Sequence, residues 1–160
     1  MAHINELIDF VVTAFIVYED KVLLVFHKKL QKWLPIGGHI ELDEDPEQAL
    51  FREIQEECGL EVEILASKPD IGNEGRKPLL TPNYLDIHKI SDTHRHTSLT
   101  YFARAKSDKV RLAEREHEDI RWFAEADLEN PEFQIQEDIK FYAREALRQA
   151  QGKPFKKARL

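Results

Sequence analysis

The sequence predicts an α/β fold in which a mixed β-sheet lies between helices. Two β-rich runs open the chain, one amphipathic helix follows, and further strands precede a second helix with regularly spaced apolar residues. This order fits a sheet covered by helices on both faces. With 160 residues, 42% of them hydrophobic, the chain can bury a core as a single domain. We expect one domain over 1–160, with its core at about 9–150 and a basic tail at 151–160.

The first two strands are predicted to form a hairpin. Residues 10–18 and 21–26 are rich in β-branched and aromatic side chains, and Glu19 and Asp20 separate them. A basic stretch, 27–32, then leads to Trp33. Two interpretations of this stretch stay open, because it either lies near the phosphates of a substrate or is a solvated loop.

Signals at both ends mark the first helix. Asp45 is an N-cap followed by Pro46, and Gln48 can complete a capping box. Gly59 can end the helix in the left-handed conformation. One apolar stripe is predicted to pack on the sheet, and it consists of Leu50, Phe51, Ile54 and Cys58.

The same helix carries an unusual acidic face. Glu53, Glu56 and Glu57 stand at i, i+3 and i+4, so their carboxylates lie side by side. Like charges at this spacing destabilise a helix, and a bound cation would remove that penalty. Oxygen ligands favour a hard ion, so we expect Mg²⁺, with Mn²⁺ as a second possibility. A solvated acidic face is the alternative.

These residues carry a family resemblance. From Gly38 to Leu60 the chain resembles the Nudix box at every fixed position. Besides the apolar sites, the fixed positions are Gly38, Glu44, Arg52, Glu53, Glu56, Glu57 and Gly59. The likeness extends to Trp33–Glu41 before the box and Trp122–Phe123 after it. It implies an α/β/α sandwich and a hydrolase that cleaves a nucleoside diphosphate linked to another group.

The resemblance also implies roles for individual residues. Metal ligands would come from the Gly38 carbonyl and from Glu53, Glu56 and Glu57, and these glutamates would also be catalytic. Arg52 would orient the helix by pairing with Glu44 and Glu53.

The resemblance also implies a further acid, which binds metal or acts as general base, in the charged segment 107–119. Glu116 is the first candidate and Glu118 the second, with a solvated loop as the alternative.

Between the helices we predict three more strands and a long loop. A strand at 61–65 is followed by a loop rich in proline and glycine at 67–82, and strands at 84–90 and 99–105 are joined through 91–96. His88, His94 and His96 could together bind zinc, but no cysteine is nearby in the sequence to complete a tetrahedral set of ligands. Polar surface is a second interpretation. We expect instead that His94, Arg95 and His96 contact the phosphate or base of a substrate.

The second helix is predicted to begin at Asn130-Pro131 and to end near Gly152. A net charge of −7 argues against a nucleic-acid polymer or a membrane as partner. The single cysteine, Cys58, excludes an intramolecular disulfide, and no export signal or membrane span is recognisable, so we expect a cytoplasmic location. A homodimer is possible.

The sequence leaves the substrate open. The small build resembles Nudix hydrolases that act on nucleoside triphosphates, deoxynucleotides included. Nucleotide sugars and dinucleoside polyphosphates are the alternatives, because members of one fold differ in substrate through their loops. A nucleotide-binding regulator without catalytic activity is a further possibility.

Overall fold

A computed structural model describes residues 5–152. Residues 153–160, most of the predicted basic tail, lie outside the described part. Eight strands and two α-helices follow one another in the order β1 (Ile8–Tyr18), β2 (Lys21–His27), β3 (Lys32–Leu34), β4 (Ile36–His39), α1 (Pro46–Glu57), β5 (Val62–Ile64), β6 (Tyr84–Lys89), β7 (Arg95–Ala105), β8 (His117–Ala124) and α2 (Glu137–Ala150). A 3₁₀ helix at Glu125–Glu129 precedes α2.

The sheet is mixed because one strand pair is parallel. β1 and β7 run parallel over ten residue pairs, from Ile8 with Arg95 to Val17 with Arg104. The other strand pairs are antiparallel, including the predicted β1–β2 hairpin and the β6–β7 pair. The two halves of β1 have different partners on their second edge, β4 for the first half and β2 for the end. β4 therefore leads straight from the centre of the sheet into α1.

Each face of the sheet carries its own core. Val12, Ala14 and Ile16 of β1 pack with Leu50 and Ile54 of α1. The alternate residues of β1, Phe15 and Val17, pack with α2 on the other face, around Ile139, Ala143, Ala146 and Leu147. The predicted α/β/α sandwich is confirmed. Among residues 5–152, neither helix has the length and apolar composition needed to cross a bilayer.

Three local predictions differ from the structure. Strand β7 begins at Arg95, so Arg95 and His96 belong to a strand rather than to the connecting loop. Helix α2 begins at Glu137 and not at Asn130, because a turn with Gln134 at φ +49° interrupts the chain first. Phe51, assigned to the apolar stripe of α1, is 44% exposed.

Candidate active site

Of the three glutamates that form the acidic face of helix α1, two lie inside the protein and one outside. The Asp45 side chain accepts from the Gln48 N–H, and the Gln48 side chain accepts from the Asp45 N–H, which fixes the start of the helix. Two turns later Glu53 and Glu57 are only 3% and 4% exposed, whereas the Glu56 side chain is 61% exposed. The acidic face thus runs from the interior to solvent, which suits a ligand that approaches from outside.

Arg52 ties this helix to the segment before it. Its Nε and Nη2 donate to the two Glu44 carboxylate oxygens at 2.5 and 2.9 Å, and its Nη1 donates to Glu53 Oε1 at 2.7 Å. Nη2 also donates to the His39 carbonyl at 3.0 Å. The Arg52 guanidinium holds the pKa of Glu44 below its ordinary value. This network fixes the Glu53 carboxylate against the end of β4.

Strand β4 passes so close to α1 on one side and to β1 on another that only glycine fits at positions 37 and 38. A Cβ atom at Gly38 would lie 2.2 Å from Glu53 Oε1, and one at Gly37 would lie 2.3 Å from the Val12 carbonyl oxygen. Neither glycine has a positive φ, so close approach rather than backbone conformation accounts for both. Gly38 therefore brings its backbone directly beside the Glu53 carboxylate.

The far end of α1 meets the segment that precedes β8. One carboxylate oxygen of Glu57, one of Glu116 and a ring nitrogen of His117 lie within 4.8 Å of one another. His117 Nε2 is 3.3 Å from Glu57 Oε2, an ion-pair contact without hydrogen-bonding geometry. The Lys28 N–H donates to the Glu116 carbonyl at 3.0 Å and holds this segment against the basic turn after β2. Folding thus brings together groups 59 positions apart in the chain.

His117 was missed by the sequence analysis. A histidine in a charged loop carries no helical or alternating pattern, and its only signal is that it directly follows Glu116. A register shift between Phe26 and His27 of β2 places the two rings of His27 and His117 5.6 Å apart. The His27 ring therefore lies beside the ring that contacts Glu57.

Burial disfavours the ionised forms of the Glu53 and Glu57 carboxylates. Burial is the main cause that raises the pKa of Glu53 to about 7, and the neighbouring Glu57 adds to the shift, while Arg52 opposes it. Burial also raises the pKa of Glu57, against the effect of His117. A bound cation would favour the ionised forms of these two neighbouring carboxylates.

Glu118, the alternative to Glu116, lies in strand β8. Its Oε1 accepts from the Gln31 side chain at 3.0 Å, and its side chain is exposed. Adjacent strand residues point to opposite faces of a sheet, and His117 is the β8 residue that contacts Glu57. The described structure therefore brings Glu116, rather than Glu118, into the group around Glu57.

The predicted substrate-binding histidines lie elsewhere. His96 pairs with Asp9 in the β1–β7 register, and Asp9 has the parity of the β1 residues that face α2. His94 is buried and its Nε2 lies 3.3 Å from Asp9 Oδ2. Arg95 is exposed at the start of β7. The fold thus places both histidines on the opposite face of the sheet from Glu53 and Glu57, and their role in substrate binding stays a prediction.

The fold and this site define a class of protein, namely α/β/α hydrolases with a carboxylate-rich helix beside a glycine-rich strand. The family model described as NUDIX domain matches residues 9–144. The chain therefore belongs to the Nudix family, and it is a Nudix hydrolase.

Solved structures support this membership. A NUDIX-family hydrolase from Clostridium perfringens is 39% identical, with a TM-score of 0.76, and the match covers 87% of this chain and 95% of that one. A MutT NUDIX hydrolase from Burkholderia pseudomallei is 26% identical, with a TM-score of 0.63 and 90% and 98% coverage.

The NUDIX domain of Shewanella oneidensis NrtR, solved with ADP ribose, shares the fold at 19% identity, with a TM-score of 0.62 and 92% and 88% coverage. A search of curated proteins found no match.

Proposed function

We propose that this chain is a divalent-cation-dependent pyrophosphohydrolase that cleaves a nucleoside diphosphate linked to another group. One observation carries the proposal: the buried carboxylates of Glu53 and Glu57 stand side by side on α1, with the Gly38 backbone against one and Glu116 against the other. Such a concentration of oxygen ligands suits Mg²⁺ or Mn²⁺.

The residues present fit such a cation. Burial raises the pKa values of Glu53 and Glu57, and Arg52 and His117 only partly offset this effect. Ligands would come from Glu53, Glu56, Glu57 and Glu116 and from the Gly38 carbonyl. When bound, the cation neutralises charge on phosphate oxygens and makes a nearby water more acidic.

The protein's own groups would then position and activate the reactants. Glu57 and Glu116 face each other across the far end of α1, where either carboxylate can take a proton from the attacking water. His117 beside Glu57 would steady that carboxylate. Lys28 and Lys29 of the adjacent turn supply positive charge for the substrate's phosphates. Water attacks phosphorus, and the P–O–P bond breaks on the opposite side.

Within this reaction we propose nucleoside triphosphates, deoxynucleotides included, as the preferred substrate class. The small build, which resembles that of Nudix hydrolases acting on nucleoside triphosphates, supports this preference. The fold alone does not choose, since one structure of the same fold is described as an Ap4A hydrolase from C. elegans and another as a UDP-X diphosphatase.

Hydrolysis of a substrate panel tests the proposal. The panel contains nucleoside triphosphates, nucleotide sugars and dinucleoside polyphosphates, each with Mg²⁺ or Mn²⁺. We expect selective, cation-dependent turnover of triphosphates and a loss of about 10²-fold or more in the Glu57→Gln variant. Glu118→Gln is the matched control, since it removes one carboxylate from the neighbouring strand.

Two outcomes would contradict the proposal. Near-normal turnover by Glu57→Gln would remove Glu57 from the catalytic set. No turnover across the panel, together with nucleotides that raise the melting temperature, would identify a nucleotide-binding regulator instead.

A further inference from the structure

A second group of metal-ligating side chains lies on the face of the sheet opposite α1. We call it the His–Asp cluster, and it consists of Asp9, His39, His94 and His96. These residues come from β1, from the end of β4, from the turn before β7 and from β7 itself. Asp9 is 1% exposed, and His39 and His94 are also buried.

The cluster centres on one carboxylate oxygen. Asp9 Oδ2 lies 3.2 Å from His39 Nε2 and 3.3 Å from His94 Nε2. One ligand atom from each of Asp9, His94 and His96 lies within 4.8 Å of the other two. The His96 ring stands 4.9 Å from the His39 ring and 5.2 Å from the His94 ring, centroid to centroid.

We propose that the His–Asp cluster binds a divalent transition-metal ion of the zinc type, at a site separate from the carboxylates of α1. Metal bonds of about 2.0–2.1 Å in a tetrahedral site place neighbouring ligand atoms roughly 3.3 Å apart. The contacts of Asp9 with His39 and His94, at 3.2 and 3.3 Å, already have this spacing. Asp9, His94 and His96 form the ligand set, and His39, which contacts Asp9 Oδ2, borders it.

His94 has the outer contact that a ligating histidine usually makes. Its Nδ1 lies 3.0 Å from the Glu6 carbonyl oxygen, an acceptor, so Nδ1 carries the proton. The other nitrogen, Nε2, faces the Asp9 carboxylate and is the atom through which His94 would bind the ion. Metal-bound histidines show this same backbone contact at the nitrogen away from the metal.

The cluster offers three imidazole rings and one carboxylate as ligands. Imidazole and carboxylate together favour zinc, cobalt or nickel over magnesium. The hard cation of α1 and the ion of this cluster are thus chemically distinguishable.

Metal titration in excess Mg²⁺ tests the site. The full chain, free of any polyhistidine tag and stripped with a chelator, is titrated with Co²⁺ and with Zn²⁺ while Mg²⁺ saturates the oxygen ligands of α1. We expect one Co²⁺ per chain, with imidazole nitrogens in its X-ray absorption spectrum. Zn²⁺ should compete for the same site and should raise the melting temperature.

Variants separate the cluster from the active site. We expect His96→Ala to weaken Co²⁺ binding at least tenfold, since one ligand of the set is lost. His88→Ala, an exposed histidine that contacts Asp86, and Glu57→Gln should both retain it.

Absence of Co²⁺ and Zn²⁺ binding in excess Mg²⁺ would overturn the proposal. So would binding that His96→Ala leaves intact or that Glu57→Gln abolishes. Because the readout is metal binding, these outcomes do not depend on hydrolysis.

Discussion

Two adjacent glycines of β4 give a sharp test of how the site is built. Gly37 and Gly38 both lack room for a methyl group, but the obstructing atoms differ. At Gly38 the obstruction is the Glu53 carboxylate, 2.2 Å from the added Cβ, whereas at Gly37 it is the Val12 carbonyl oxygen at 2.3 Å. A side chain can move aside, but a backbone carbonyl in the centre of a sheet cannot. The two alanine variants should therefore fail in different ways.

For Gly38→Ala we expect a loss of activity with the fold preserved. Ordinary contact begins near 3.5 Å, so the Glu53 carboxylate must retreat by about 1 Å, and a displacement of that size at an active site can cost about 10²-fold in rate. Stability should fall by about 1 kcal/mol, through the strained Arg52–Glu53 contact. For Gly37→Ala we expect about 3 kcal/mol of destabilisation, because β1 and β4 must separate.

Steady-state kinetics with Mg²⁺ and urea unfolding measure the two effects for each variant. Wild-type kcat/KM and cation affinity in Gly38→Ala would refute the reasoning, because the Glu53 carboxylate could then leave its place at no cost. Equal loss of stability in the two variants would also refute it. The carbonyl and carboxylate obstructions would then be equivalent, contrary to the structure.

Three further predictions concern the carboxylates. Arg52→Ala should lower the free energy of unfolding, measured with urea, by about 2–3 kcal/mol, because it leaves buried Glu53 without the Arg52 guanidinium. Arg52→Lys should restore only part of this stability. Wild-type stability in Arg52→Ala would contradict the prediction. In cation-free buffer, stability should fall as pH rises from about 4.5 to about 7, because folded Glu53 keeps a proton that the unfolded chain has released. This loss should shrink in Glu53→Gln, and an unchanged pH profile there would contradict it. Glu116→Gln should reduce kcat more than Glu118→Gln in the hydrolysis assay, and the reverse order would exchange their roles.

Helix α1 shows what local sequence can specify. Its cap, its first proline and its terminal glycine act within one or two turns, so Asp45, Pro46 and Gly59 set its limits without help from the rest of the chain. The spacing of Glu53, Glu56 and Glu57 likewise follows from helical geometry. The order of strands and helices, together with the family resemblance of residues 38–60, predicted the α/β/α sandwich.

Helix α2 shows where local signals mislead. Asn130-Pro131 is a good start signal, but it opens a turn, and Gln136 is the residue that precedes the helix. Ile135 and Phe133 pack into the core, and Phe133 contacts Trp33. This packing fixes the turn that precedes α2. Burial against distant strands outweighs a capping signal of about 1 kcal/mol.

Tertiary structure alone decided which distant groups meet. Glu116 and His117 reach Glu57 because β8 pairs with β2 and brings the preceding segment over the end of α1. His94 and His96 face Asp9 rather than the acidic helix because the parallel register of β1 and β7 gives them the opposite side of the sheet. A shift of one residue in a strand register would move such side chains to the other face. Helical spacing in the sequence therefore determined that Glu53, Glu56 and Glu57 share one face of α1. Long-range strand pairing, which no local sequence pattern shows, determined that Glu116 and His117 lie beside them.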